Sequence, residues 1–282
     1  MGNEQPSDQT LIESAKGGDR KALEALLERY QGSIWRFGIK MCRDPEAAKE
    51  ILQETLIAAT RTLSGFRGGS AVSTWLYTIA RSFCIKRHRK GKFEPESVES
   101  LDDSPVMEAR SVPDAKLGPE DQVAGKQVSA ILEGAISQLA PMYREVLLLR
   151  DVEGLSAPEV AEVLGLSIEA VKSRLHRARI AVREIVAPAL GMAVEPARPG
   201  CPDVVSLLSR HLEGELRPET CEEMERHLKA CPHCTSACDS LKKTLALCRT
   251  TPAAIVPKDV QASVRAALAK VLAGRLGAEP QR

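Results

Sequence analysis

Aromatic residues are scarce in this chain: two Trp, three Tyr and four Phe among 282 residues, with none after Tyr143. The C-terminal half must build its core from Leu, Val, Ala and Ile, and a small domain with such a core usually needs a staple. No apolar run reaches the roughly 18 residues of a membrane span, and the first ten residues, MGNEQPSDQT, are polar. Neither a membrane partner nor a secretory signal is expected, and a cytoplasmic location is. Net charge is lacking as well: 39 Lys and Arg stand against 38 Asp and Glu, so no global attraction to a polyanion exists. No strand-like alternation occurs, which points to an all-α fold. A P-loop, HExxH, G-x-S-x-G and a Gly-rich fingerprint after a strand are all missing. The chain is therefore not expected to be an enzyme or to take a small-molecule substrate.

Balanced charge in total hides imbalance in parts. Between Arg81 and Lys92 there are six Lys or Arg and no acid, whereas between Glu94 and Asp121 nine acids face only Arg110 and Lys116. A basic block followed by an acidic linker suits a modular binder of a polyanion. Prolines and glycines divide the chain further. Residues 10–92 read as helices, 93–125 as an acidic flexible linker, 126–187 as a second helical domain and 188–200 as a second linker. Short helices follow in 201–250, and 258–276 reads as a last amphipathic helix. Six of the eight Cys lie between Cys201 and Cys248; in a reducing compartment this argues for metal or redox chemistry rather than disulfides.

The most informative stretch is residues 155–183, LSAPEVAEVLGLSIEAVKSRLHRARIAVR. Ser156 and Glu159 form a capping box, Gly165 stands where a helix must stop, and Ser167 caps a second helix. The apolar stripe of that helix is Val171, Leu175, Ala178 and Val182. Lys172, Ser173, His176, Arg177 and Arg179 fall on or beside its outer face. A cationic helix presented by a tight turn fits a DNA major groove. A second candidate is residues 75–92, WLYTIARSFCIKRHRKGK. Trp75 and Tyr77 offer faces for exposed bases, and the basic tail can follow phosphates. Against this, Trp75, Ile79 and Phe83 share one helix face, so Trp75 and Phe83 are expected in the core.

With both segments in view, the chain resembles bacterial sigma-70-family factors of the extracytoplasmic-function (ECF) type over roughly residues 10–186. TWLYTIARSF and its basic tail resemble region 2.3–2.4, which in the family melts and reads the −10 element. The resemblance assigns that role to Arg81, Ser82, Lys86, Arg87, Arg89 and Lys90. DPEAAKEILQETLIAA resembles region 2.2, which docks on the polymerase clamp helices, and implies Asp44, Glu50, Gln53 and Glu54 as core-polymerase contacts. The helix-turn-helix resembles region 4.2, which reads the −35 element, and implies Ser167, Glu169, Lys172, Ser173, Arg174, His176, Arg177 and Arg179. Lys49 stands where the family often has Asp, and Ser82 where it usually has Asn. The resemblance implies two helical sigma domains on a flexible linker, with core RNA polymerase and promoter DNA as partners.

Cys201, His227, Cys231 and Cys234 give C-x25-H-x3-C-x2-C, a donor set suited to one Zn²⁺. This spacing, with LLSRHLEGEL and HLKACPHC, resembles the zinc-binding anti-sigma domain, which packs against its sigma partner and blocks polymerase docking. An anti-sigma-like module fused in cis implies an intramolecular contact between tail and sigma domains. The last helix resembles that family's fourth helix, which inserts between the two sigma domains. Cys221 is an alternative first ligand. His233 is expected to point out and His211 to be a surface residue. Cys221, Cys238 and Cys248 are extra thiols, read either as small apolar residues or as a copper- or redox-responsive set. Cys42 and Cys84 fit core positions. The function expected is promoter-directed transcription initiation under control of a metal- or redox-responsive tail. The alternative is a metal- or redox-sensing helix-turn-helix repressor that works without polymerase, although it leaves residues 44–92 unexplained.

Overall fold

Short polar side chains open six of the described helices. Ser7, Asp19, Asp44, Ser156, Ser167 and Asp203 each accept a hydrogen bond from a backbone N–H in the first turn that follows. Each thereby satisfies a donor that the helix itself leaves unpaired. The computed structural model describes residues 6–91, 119–250 and 255–276, without the side chains of 88–91, 119–126 and 274–276. Among the described residues there are helices and no strands. They form two compact units.

The first unit contains α1 (Asp8–Lys16), α2 (Arg20–Cys42), α3 (Pro45–Thr62), α4 (Val72–Gly91) and, from the far end of the sequence, α12 (Lys258–Leu276). Gly17 and Gly18 separate α1 from α2. The core gathers Leu26, Ile34, Phe37, Ile51, Leu52, Leu56 and Leu76. At Gly38 a Cβ would sit 3.2 Å from the Ala48 Cα, so glycine is what lets α2 and α3 approach there. The last helix covers part of α3, burying Val260 and Val264, and Arg265 reaches Glu28 of α2 at 3.1 Å.

The core expectations for α4 are met in part: Cys84 is buried, but Trp75 and Phe83 are not. Leu76, Tyr77, Ala80 and Cys84 are buried, while Trp75, Ile79 and Phe83 are half-buried. Tyr77, expected as a base-stacking candidate, instead packs edge-on against Phe37 at 5.5 Å. Trp75 lies tilted over Phe66, with ring centroids 4.9 Å apart. Trp75, Ile79 and Phe83 do share one ridge, but α2 and α3 meet the neighbouring ridge. The core supplied by Phe37 reaches Tyr77, which simple periodicity placed outside.

The second unit runs from α5 (Pro119–Gln138) through α6 (Pro141–Leu147), a wide turn (Leu148–Val152), α7 (Ala157–Leu164) and α8 (Ile168–Ala189) to α9 (Val204–His211), α10 (Pro218–Ala230) and α11 (Pro232–Thr250). Helix α5 starts inside the stretch expected as linker; residues 92–118 lie outside the described residues. Leu132, Ile136, Leu147, Leu149, Val160, Val171, Leu175 and Val182 fill the interior without one aromatic ring. Buried Arg144 donates to the carbonyls of Ile136, Ser137 and Leu139 at 3.2, 2.6 and 2.9 Å. It thus satisfies carbonyls that the end of α5 leaves open. A smaller core of Val204, Leu208, Ala237, Cys238, Leu241 and Leu245 joins α9 to α11.

Candidate nucleic-acid interface and metal centre

The helix-turn-helix geometry follows its local sequence closely. Ser156 Oγ accepts from the Glu159 N–H at 3.4 Å, and the Glu159 carboxylate accepts from the Ser156 N–H at 2.8 Å. Gly165 adopts φ 63°, ψ 41° at the end of α7, a left-handed conformation that favours glycine. Ser167 Oγ then accepts from the Ala170 N–H at 3.1 Å to start α8. Val171, Leu175, Ala178 and Val182 are fully buried, fixing which side of α8 faces out.

Ser167, Glu169, Ser173 and Arg177 are exposed on α8, and Lys172, Arg174 and His176 are half-buried. Arg177 reaches the Tyr143 hydroxyl at 3.4 Å. Arg179 departs from expectation. The resemblance implies a DNA contact, yet its side chain is 1% exposed. Its Nε and Nη2 donate to the two Asp151 carboxylate oxygens at 2.8 and 2.7 Å. Nη2 also donates to Glu213 at 2.7 Å, and Nη1 to the Ser209 carbonyl at 3.2 Å. Desolvation alone would depress the guanidinium pKa; the Asp151 and Glu213 carboxylates reverse that and raise it. One turn on, Arg183 Nε donates to Ser240 Oγ of α11 at 2.6 Å.

His176 faces the same side. Burial holds its imidazole below the ordinary value; Asp203 and Glu215 oppose the shift, while Arg210 and Arg179 add to it. A histidine depressed in the folded state gains a proton on unfolding. Its stabilisation is therefore complete above about pH 6.5 and is lost as pH falls through the folded value. Urea midpoints of the full chain at pH 7.5 and 5.5 should differ more in the wild type than in His176→Gln. Equal differences would contradict this role for His176.

In the first unit, Arg81 is half-buried and Ser82 exposed; Ser82 Oγ donates back to the Ile79 carbonyl at 2.7 Å. Lys86 lies over the Phe83 ring, 5.1 Å from its centroid. Arg87 pairs with Glu50 and, at 3.6 Å, with Asp44. One cation from the expected −10 set thus binds two carboxylates from the expected polymerase set. Asp44 is also the cap of α3, accepting from the Glu46 N–H at 3.0 Å. Glu54 is exposed and Gln53 half-buried. The side chains of Arg89 and Lys90 lie outside the described residues.

Cys201, His227, Cys231 and Cys234 bring their donor atoms within 4.8 Å of one another. His227 and Cys231 lie one turn apart at the end of α10, and Cys234 sits in the first turn of α11. A tetrahedral ion with metal–sulfur bonds of about 2.3 Å holds its sulfurs roughly 3.8 Å apart; Cys201 and Cys231 Sγ are 3.9 Å apart. His227 Nε2 lies 3.2 Å from Cys234 Sγ. Burial pushes the Cys234 thiol up to about 12, whereas the Cys234 backbone N–H pulls Cys231 down. Three sulfurs and one imidazole in this arrangement can hold a metal ion.

Cys221 is not part of that group; it lies 3.2 Å from His211 Nδ1. His233 does not point freely outward: its Nδ1 lies 3.1 Å from a Glu195 oxygen. Cys238 and Cys248, read as candidates for copper, are buried, and Cys238 donates to the Val204 carbonyl at 3.6 Å. They pack as small apolar residues and do not join Cys221 in a thiol cluster. Cys84 is buried and Cys42 half-buried.

Sequence reasoning missed Asp151, Ser209, Glu213 and Ser240, the partners of Arg179 and Arg183. A signal was present: Arg179 directly follows Ala178 and stands four residues after Leu175, beside the apolar stripe.

Three family models match in sequence order: Sigma-70 region 2 at residues 26–94, Sigma-70, region 4 at 129–182, and "Putative zinc-finger" at 201–235. The RNA polymerase sigma-H factor of Pseudomonas aeruginosa is 34% identical over 188 residues, which is 66% of this chain and 97% of that protein. The ECF RNA polymerase sigma factor SigW of Bacillus subtilis is 32% identical over 179 residues, 61% of this chain and 93% of the relative. The chain belongs to the ECF sigma factors of the sigma-70 family. It is an RNA polymerase sigma factor with an anti-sigma-like C-terminal domain. Among solved structures, the sigma factor RpoE in complex with the anti-sigma factor NepR from Bartonella quintana matches with a TM-score of 0.46 and 23% identity. The match covers 59% of this ECF sigma factor and 97% of that chain. Among the described residues, no helix is long and apolar enough to cross a membrane.

Proposed function

We propose that this cytoplasmic sigma factor carries its own restraint: a zinc-stapled tail that holds region 4 and covers part of region 2. The observation that carries the reading is the packing of the tail on both sigma regions. Helices α9 and α11 lie against α8, with Glu213 on Arg179, and α12 lies on α3, the helix expected to meet polymerase. Zn²⁺ is the ion that three thiolates and an imidazole best suit. Cys201, His227, Cys231 and Cys234 would hold it, supplying structure rather than chemistry.

In this reading, Asp44, Glu50, Gln53 and Glu54 meet core polymerase. Arg81, Ser82, Lys86, Arg87, Arg89 and Lys90 work at the −10 element. The half-exposed ridge of Trp75, Ile79 and Phe83 beside these cations suits unstacked bases. The outer face of α8, led by Ser173, Arg174 and Arg177, reads the −35 element. Binding and strand separation are the whole task, so no residue is catalytic. The reading predicts that the full chain binds core polymerase and that sequence-specific protection of a promoter requires core, whatever weak affinity the chain alone has for duplex DNA. Protection of duplex DNA by the chain alone, without affinity for core, would instead identify a repressor.

A further inference from the structure

Lys172, His176, Arg179 and Arg183 recur along α8 at spacings of four, three and four, which makes them one flank of the helix. Against this flank lies the turn at residues 212–217. Glu213, whose side chain is 4% exposed, accepts from Arg179 at 2.7 Å and from Arg150 at 3.1 Å. Glu215 stands 3.9 Å from Lys172 and 3.8 Å from Arg210. Carboxylates thus neutralise the flank of a DNA-reading helix, in the role that backbone phosphates take when such a helix enters a groove.

The closure is incomplete. Among the described residues, the buried side-chain atoms without a hydrogen-bond partner include His176 Nδ1 on this flank and Ser209 Oγ of α9, whose carbonyl accepts from Arg179, together with Arg183 Nη2 where the flank meets α11. Unpaired buried donors and acceptors offset part of what the ion pairs gain. The two Asp151 oxygens that Arg179 binds come from outside the turn, so α8 need not unravel for the turn to leave.

We propose that the turn at 212–217 is a phosphate mimic, that Glu213 is its latch, and that the DNA backbone displaces it from α8. The proposal rests on α8 being the DNA-reading helix and adds what competes with DNA for it.

The test uses the full zinc-loaded chain, its Glu213→Gln variant and Glu213→Asp, with a fluorescein-labelled mixed-sequence DNA duplex as probe. Affinity and amide hydrogen exchange in α9 are measured together, with metal content as the check on folding. Glu213→Gln should retain its metal, exchange faster in α9 and bind the duplex about tenfold tighter, while Glu213→Asp stays near the wild type. Unchanged exchange in Glu213→Gln would overturn the latch. Faster exchange with equal duplex affinity would overturn the competition. Faster exchange with no duplex binding by any of the three proteins would overturn the mimicry by way of its premise, that α8 reads DNA.

Discussion

Alanine at Cys231 and Cys234 together should strip the metal from the tail and melt residues 201–250. The pair removes two of the four donors gathered within 4.8 Å, and what remains is a small core. Val204, Leu208, Ala237, Cys238, Leu241 and Leu245 carry it, with no aromatic ring among them. Such a core falls short of the ordering entropy of its own residues. Structural Zn²⁺ in small modules contributes an apparent 10–16 kcal/mol or so near neutral pH, far more than this core can replace. Cys234 adds a second loss, because its thiol sits both in the metal group and in the core. The expected result is no bound zinc, a fall in helical circular dichroism equivalent to α9–α11, and fast hydrogen exchange on the α8 flank. An unchanged thermal transition and helix content would reject a structural metal.

Arg179→Met should strongly destabilise the second unit. The guanidinium is 1% exposed and serves Asp151 and Glu213, themselves 1% and 4% exposed. Removing it leaves Asp151 buried without a counter-charge and Glu213 with Arg150 alone. Breaking a buried pair in this way costs roughly 3–5 kcal/mol, whereas replacing the whole group by apolar residues is often neutral. The triple variant Arg179→Met, Asp151→Leu, Glu213→Leu should therefore recover most of the loss. Urea unfolding of both variants checks the pair of expectations. A single variant as stable as the wild type would mean that the network contributes little. A triple variant no better than the single one would mean that packing, not charge, fixes Arg179.

Much of this arrangement was legible in the sequence because it is local. The capping box of Ser156 and Glu159, the left-handed Gly165 and the cap Ser167 are short-range rules, and the structure follows each of them. The thiol and imidazole group was legible for a related reason. Its His227, Cys231 and Cys234 sit within two turns of chain, so their spacing alone constrains where they meet.

What escaped the sequence depends on contacts between distant elements. Arg179 looks like one more cation of a basic helix until Asp151 and Glu213 arrive from other parts of the chain, 28 and 34 residues away. Tyr77 looks like an outward residue until Phe37, on another helix, supplies a place for it. Cys238 and Cys248 look like sensors by composition, and burial in α11 makes them packing atoms. Periodicity names the faces of a helix; it does not name which neighbour will claim each face.

Run-off transcription decides whether the tail restrains the sigma regions in cis. Core polymerase and the gene's own upstream region would be combined with either the full chain or residues 1–192 at equal concentration. Residues 1–192 should give abundant transcript and the full chain little. Equal output from both, or transcript only from the full chain, would contradict restraint in cis.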